Sequence, residues 1–269
     1  MYATRYIKPE NLDAAISALH AADEGKILAG GMTLIPTLKQ RLAAPDCLID
    51  ITALGLSGIR QQGDKLIIGA MSCHAEVEHS ALVASEIPVL AQLAGGIGDR
   101  QVRNRGTIGG SLANNDPAAC YPAAVLALAA SIQTSKRLIA ADDFFTGMFE
   151  TALAEDEIIT EIHFPKVAKA AYVKFGNPAS RYAMVGVCVA LHSDGSVRVA
   201  ITGAGQDGVF RHAGLEAALQ NSLDASNPVA DAVDKVDIDE SDLMSDIHAS
   251  ADYRAHLITE ITKRAVRAL

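Results

Sequence analysis

The sequence predicts an α+β fold in which two small mixed subdomains precede a C-terminal unit of antiparallel sheet and helices. Three observations predict it. The apolar run Lys26-Ile27-Leu28-Ala29 ends in a glycine pair, then leads through a helical pattern to a second apolar run, the order of a βαβ unit. A second glycine pair, Gly109-Gly110, again opens an apolar helical pattern. Beyond residue 165 the character changes. The β-rich runs Val185–Leu191 and Val197–Ala204 flank Ser193-Asp194-Gly195-Ser196, a hairpin signal centred on Asp-Gly, and helical patterns follow. The expected divisions are residues 1–53, 54–165 and 166–269.

Each element has a local reason. Asn11 is placed to cap a helix through His20, where Leu12, Ala15, Ile16 and Leu19 recur at helical spacing. After the Lys26–Ala29 strand, a helix is expected over Leu34–Leu42, with Pro36 early enough that its missing N–H costs little. Cys47–Ile51 supplies the second strand of the unit. Lys65–Ala70 reads as a strand, Cys73–Val83 and Pro88–Ile97 as helices, and Ala118–Ala130 as a helix apolar on all sides and therefore buried. Ile158–Phe164 alternates as a strand and Pro165 stops it. The closing helices are expected over Gly208–Gln220 and Asp252–Ala268. The acidic stretch Asp231–Asp242 between them reads as a solvated loop or helix face, because its carboxylates alternate with apolar residues.

Composition narrows the function. The chain of 269 residues is 49% hydrophobic and 20% charged, which suits a folded core. A net charge of −9 argues against nucleic acid as a partner, since phosphate binding needs a basic surface. No apolar span is long enough for a transmembrane segment, and residues Met1–Tyr6 lack a signal core, so a cytoplasmic location is expected. Four cysteines, Cys47, Cys73, Cys120 and Cys188, lie far apart with no Cys-x-x-Cys, which gives no metal or iron–sulfur signature. No catalytic group and no metal ligand is expected on the chain.

The glycine pairs carry the chemistry. Glycine lets backbone N–H groups converge on an anion, and hydroxyls flank both pairs: Thr33 beside Gly30-Gly31, and Thr107 and Ser111 around Gly109-Gly110. Two such loops suggest a grip on one extended, phosphate-bearing ligand.

A family resemblance rests on Ala29–Pro36, Ile68–Val77, Ile97–Ser111, Asp116–Ala119, Phe144–Gly147 and Asp246–Arg254, which span nearly the whole chain in family order. These segments resemble the FAD-binding medium subunits of the molybdenum hydroxylases, most of all those of the aerobic carbon monoxide dehydrogenases. The resemblance implies the two-subdomain FAD-binding fold of the PCMH/VAO type and a C-terminal medium-subunit domain. It implies FAD as cofactor, and a heterotrimer, itself open to dimerisation, with a [2Fe–2S] small subunit and a molybdenum-cofactor large subunit. Electrons would pass from the clusters through FAD to an external acceptor. Two alternatives remain beside it: a stand-alone flavin oxidoreductase, and a flavin-less nucleotide-binding module.

Carried over by motif, Ala29, Gly30, Gly31, Met32, Thr33 and Leu34 form one pyrophosphate loop, and Thr107, Ile108, Gly109, Gly110 and Ser111 the other. Each is expected to offer backbone donors at a positive helix end. Relatives commonly carry Asn at the Ser111 position; Ser donates but reaches less far. Tyr182 resembles a family tyrosine near the isoalloxazine ring. Where relatives carry an Asp that bonds an FAD hydroxyl, this chain has Cys120, a weak donor and poor acceptor, with Asn114, Asn115 or Asp116 placed to compensate. The remaining polar residues have plainer readings. His74 and His79 are expected on a surface helix, and Arg100, Arg103 and Arg105 in ion pairs or subunit contacts. Cys47, Cys73 and Cys188 are expected as small buried hydrophobes.

Overall fold

A computed structural model of the chain describes residues 1–223 and 229–269. Its first sheet is parallel, in the order Arg5–Ile7, Cys47–Asp50, Gly25–Leu28. The central strand is buried along its whole length, which explains its apolar run Cys47-Leu48-Ile49. Helix Leu12–His20 starts at Asn11, whose Oδ1 accepts the Ala14 N–H at 2.9 Å. Residues 29–33 leave the carboxyl end of the Gly25–Leu28 strand and enter helix Leu34–Lys39, so the first glycine pair sits where open α/β sheets bind ligands. Strand Arg5–Ile7 adds a parallel neighbour that the sequence pattern did not disclose.

The second sheet is antiparallel, in the order Ile59–Gln62, Lys65–Gly69, Ile159–Pro165, Ser131–Thr134, Leu138–Ala140. Helices His74–His79, Ala81–Glu86, Pro88–Gly95, Arg100–Arg103, Ile108–Asn114 and Cys120–Ala127 surround its core. All eight residues of Cys120–Ala127 are buried, as its uniform apolar pattern predicts.

The third sheet, Val167–Gly176, Ala183–His192, Val197–Gly205, Gly208–Arg211, is antiparallel throughout. Its second strand is buried on both faces, and its sequence divides the labour. Val185, Val187 and Val189 enter one core with helix Ala251–Arg267, while Cys188 and Ala190 enter the other, against helix Cys120–Ala127. A face of small residues lets the helix lie close. The Asp194-Gly195 hairpin forms as expected, with Gly195 at φ +85° and Asp194 Oδ1 accepting the Ser196 N–H at 2.9 Å.

Four expectations require correction. The Cys73–Val83 helix is two helices, because Ser80 takes an extended backbone and caps the second by accepting the Val83 N–H. The stretch from Gly208 begins as a strand and becomes helix only at Ala213, where His212 Nδ1 accepts the Leu215 N–H. The long strand Val167–Gly176 was not foreseen: its alanines and lysines dilute the β signal, and pairing with Ala183–His192 supplies it instead. His74 is buried rather than on a surface face.

Glu157 fastens a turn of the second unit. Its carboxylate accepts from Thr134 Oγ1 at 2.6 Å, Arg137 Nε at 3.1 Å and the Ala154 N–H at 3.0 Å. Burial acts to raise its pKa, but the bonds from Arg137, Ala154 and Thr134 outweigh it and bring the carboxyl down to about 2 from 4.5. The folded state therefore favours the ionised form. This stabilisation is complete above about pH 4.5 and is lost as pH falls toward 2, with an upper bound of about 3 kcal/mol. Denaturant titrations at pH 7 and pH 3 should show Glu157→Gln less stable at pH 7, with a shallower loss of stability on acidification than the parent chain.

Candidate functional site

The three units meet around one cleft of about 830 Å³, within the size range of small-molecule sites. The first sheet contributes residues 29–34, the helical second unit contributes 106–120, and the third contributes Lys174 and the turn 179–182. Of the residues expected at the ligand, Ala29, Gly30, Gly31, Met32, Thr33, Leu34, Thr107, Gly109, Gly110, Ser111, Asp116, Cys120 and Tyr182 all line it.

The first loop is built to donate. The N–H groups of Gly30, Gly31, Met32, Thr33 and Leu34 have no acceptor among the described residues. Five consecutive unpaired donors at the mouth of a cleft form a cradle for an anion. Gly31 makes the turn with φ +75°, a left-handed conformation that favours glycine. Gly30 is glycine for a different reason: a Cβ there would lie 1.9 Å from the carbonyl oxygen of Arg105.

The second loop differs from expectation. Its backbone donors are spent internally: Ile108 N–H on Ser72 O at 3.1 Å, Gly109 N–H on Ala70 O at 2.8 Å, Gly110 N–H on Thr107 Oγ1 at 3.1 Å, and Ser111 N–H on Thr107 O at 3.0 Å. The Ser111 hydroxyl and the Asn114 amide line the cleft without partners among the described residues, so this loop offers side chains where the first offers backbone. Gly109 is needed for its contact with Ala70, whose Cβ would lie 2.6 Å from an added Cβ.

Two residues expected at the ligand do not line the cleft. Ile108 is fully buried in the core of the second unit. Asn115 ends helix Ile108–Asn114 in a left-handed conformation, and its Nδ2 donates to the carbonyls of Gly147 and Glu150, both at 2.8 Å. Its side chain serves the hairpin Phe145–Thr151. Arg103 is occupied as expected, on Glu78 at 2.7 Å and Ile97 O at 3.1 Å.

Two of the cleft residues that sequence reasoning missed bear on its chemistry. His74 lies 95% buried against Tyr121, with ring centroids 5.4 Å apart. Burial first, then the Arg103 charge, brings its pKa down to about 4, so the imidazole is neutral near pH 7. It presses on the second loop, where a Cβ on Gly106 would lie 2.6 Å from Nε2. Lys174, on the unforeseen strand, donates from Nζ to Gly96 O at 2.7 Å and Arg181 O at 2.9 Å and lies 3.6 Å from Cys120 Sγ. It clasps the turn bearing Tyr182 across the cleft to the second unit. Tyr182 is half-exposed, and partial burial, Asp116 and Cys120 all raise its phenol pKa. No signal near Lys174 marks it; only the hairpin around Asn177–Tyr182 would have pointed to the cleft.

Cys120 is almost wholly buried at the start of its helix. The third sheet holds that start in place: Thr202 Oγ1 lies 2.8 Å and 2.7 Å from the carbonyls of Pro117 and Ala119, and the Gly203 N–H donates to Pro117 O at 2.7 Å. Among the described residues no helix is long and apolar enough to cross a membrane.

Comparison with known proteins covers the whole of this architecture. A family model described as FAD binding domain in molybdopterin dehydrogenase matches residues 2–167, and one described as CO dehydrogenase flavoprotein C-terminal domain matches residues 170–269. The chain is 34% identical to the nicotine 6-hydroxylase medium subunit of Paenarthrobacter nicotinovorans, over 98% of this chain and 96% of the relative. It is also 34% identical to the carbon monoxide dehydrogenase medium chain of Hydrogenophaga pseudoflava, with the same coverage. A solved structure of carbon monoxide dehydrogenase from Hydrogenophaga pseudoflava superposes with a TM-score of 0.89 at 32% identity, covering 99% of this chain and 97% of the other.

Two substitutions test the cleft. Gly30→Ala has nowhere to put its methyl group without parting the loops, so FAD affinity should fall more than tenfold, about 1.4 kcal/mol or more, by fluorescence titration. Cys120→Asp should tighten FAD by about 1–2 kcal/mol by restoring a charge-assisted acceptor. Unchanged affinity would show that Cys120 is not at a ligand hydroxyl.

Proposed function

The chain belongs to the FAD-binding medium subunits of the molybdenum hydroxylases, of carbon monoxide dehydrogenase type, and from this premise we propose that it relays electrons from partner-borne [2Fe–2S] clusters to an external acceptor. Its cofactor is FAD. The observation that carries the reading is the row of unpaired N–H groups from Gly30 to Leu34, set in a cleft shared by all three units. A donor row of this kind fits a diphosphate, whose charge would otherwise be left bare in a partly apolar cleft.

In this reading the first loop holds the diphosphate and keeps it there by backbone alone, indifferent to pH. Ser111 and Asn114 donate to the same ligand from the facing wall. The neutral His74 supports Gly106 from beneath without adding a charge. Tyr182 lies beside the ring system and limits water at that end, with Lys174 holding its turn in place. When bound, FAD supplies the one- and two-electron chemistry, and the protein supplies position and electrostatics.

The substrate belongs to a partner chain in this reading. The two relatives named for nicotine and for carbon monoxide are equally identical to this chain, so overall identity does not single out the molecule oxidised. The small [2Fe–2S] subunit and the large molybdenum subunit complete the assembly, and the electron acceptor approaches the exposed edge of the cleft near Tyr182.

The isolated chain, loaded with FAD, should not turn over an organic substrate. Co-purification with the two partner subunits should give one stable complex by size-exclusion chromatography, and adding the substrate should bleach the flavin absorption band. Turnover by the isolated chain at roughly 1 per second or faster would replace the subunit reading with a stand-alone flavoenzyme.

A further inference from the structure

The cleft wall holds a thiol and an amine in near contact, a juxtaposition that flavin binding does not require. Cys120 Sγ lies 3.6 Å from Lys174 Nζ, and the amine is fixed there by the carbonyls of Gly96 and Arg181. We propose that Cys120 and Lys174 are a redox modification site, at which hydrogen peroxide oxidises the thiol and the lysine traps it as a sulfenamide cross-link.

Among the described residues lining the cleft, Cys120 is the only cysteine. The other thiols are set apart from this chemistry. Cys47 and Cys188 are fully buried, and Cys73, at a helix start, has its thiol pKa raised by burial and by Glu76. Among the described residues, Cys120 is the thiol that has an ammonium group beside it and lines the cleft, and a neighbouring cation favours thiol reactivity. The Tyr172 hydroxyl is buried beside Cys120, placed to donate to an oxygen on that sulfur.

The chemistry balances in two steps. The Cys120 thiol attacks hydrogen peroxide, the O–O bond breaks, the sulfur is oxidised by two electrons to sulfenic acid, and the other oxygen leaves as water. Lys174 Nζ, after giving a proton to solvent, attacks Sγ. The S–N bond forms, the S–O bond breaks, and the hydroxyl leaves as water with the second amine hydrogen. Two external thiols reverse the product, returning Cys120 and Lys174 and forming one disulfide. Because the amine is already held beside the sulfur, trapping is intramolecular and competes well with further oxidation. The new bond would tie helix Cys120–Ala127 to strand Val167–Gly176 and fix the turn that carries Tyr182.

The test uses the full chain stripped of flavin, with added hydrogen peroxide, so its outcome is independent of the electron-relay reading. After peroxide, alkylation of free thiols and proteolysis, mass spectrometry should find the Cys120 and Lys174 peptides joined. The joined species should be lighter by two hydrogens than the separate peptides together, and should disappear on treatment with dithiothreitol. Lys174→Arg keeps the cation but forms no such bond, and there Cys120 should instead be captured by dimedone as sulfenic acid. Recovery of Cys120 as unjoined sulfinic or sulfonic acid in the parent chain would overturn the proposal. So would recovery of an unoxidised Cys120 while Cys73 is oxidised.

Discussion

Gly30 approaches the Arg105 carbonyl so closely that no carbon atom fits between them, and the cleft depends on that contact. It joins the parallel sheet of the first unit to the helical second unit at the place where both present ligand-facing loops. Two further close approaches continue the same wall: Gly106 on His74, and Gly109 on Ala70. Each brings backbone against its neighbour at a distance a side chain would forbid. The loops are therefore positioned by packing, between units at Gly30 and within the second unit at Gly106 and Gly109, rather than by their own turn geometry, except at Gly31, where the positive φ itself is needed.

This arrangement makes the two glycine pairs unequal, although they look alike in sequence. In the first, the chain leaves a parallel strand and enters a helix without meeting an acceptor, so five N–H groups stay available. In the second, the chain threads between Ser72, Ala70 and Thr107, and its donors are used in holding helix Ile108–Asn114 to the rest of the unit. One loop keeps its backbone donors free at the cleft, while the other is a structural joint that presents side chains. The residues of the joint must be small because the joint is tight, which reproduces a phosphate-loop pattern for a different physical reason.

Much of this was legible beforehand, and the remainder was hidden for identifiable reasons. The βαβ order, the Asp194-Gly195 hairpin, the fully buried helix and the two glycine loops of the cleft follow from local patterns. The burial of His74 was not visible, because a histidine followed by alternating acidic residues has the pattern of an exposed helix; only the facing wall at Gly106 decides otherwise. Lys174 was missed with its strand, whose pairing partner, rather than its own composition, makes it a strand. Asn115 sits among ligand-loop residues in sequence, but its left-handed backbone turns the side chain toward Gly147 and Glu150. In each case a non-local contact overrode a reasonable local reading.

The third sheet sets the chemistry of the cleft from a distance. Its central strand keeps valines on one face and small residues on the other, so helix Cys120–Ala127 can settle against it, while Thr202 and Gly203 fix the carbonyls just before that helix. Residue 120 is thereby held facing Lys174 whatever its side chain. A carboxylate at this position would meet the ammonium as an ion pair and have one oxygen to spare for a ligand. A thiol gives a weaker contact and no second acceptor, and the lysine turns to the carbonyls of Gly96 and Arg181. The same scaffold that would support an anchoring carboxylate thus holds, in this chain, a thiol against an amine that also clasps the turn of Tyr182.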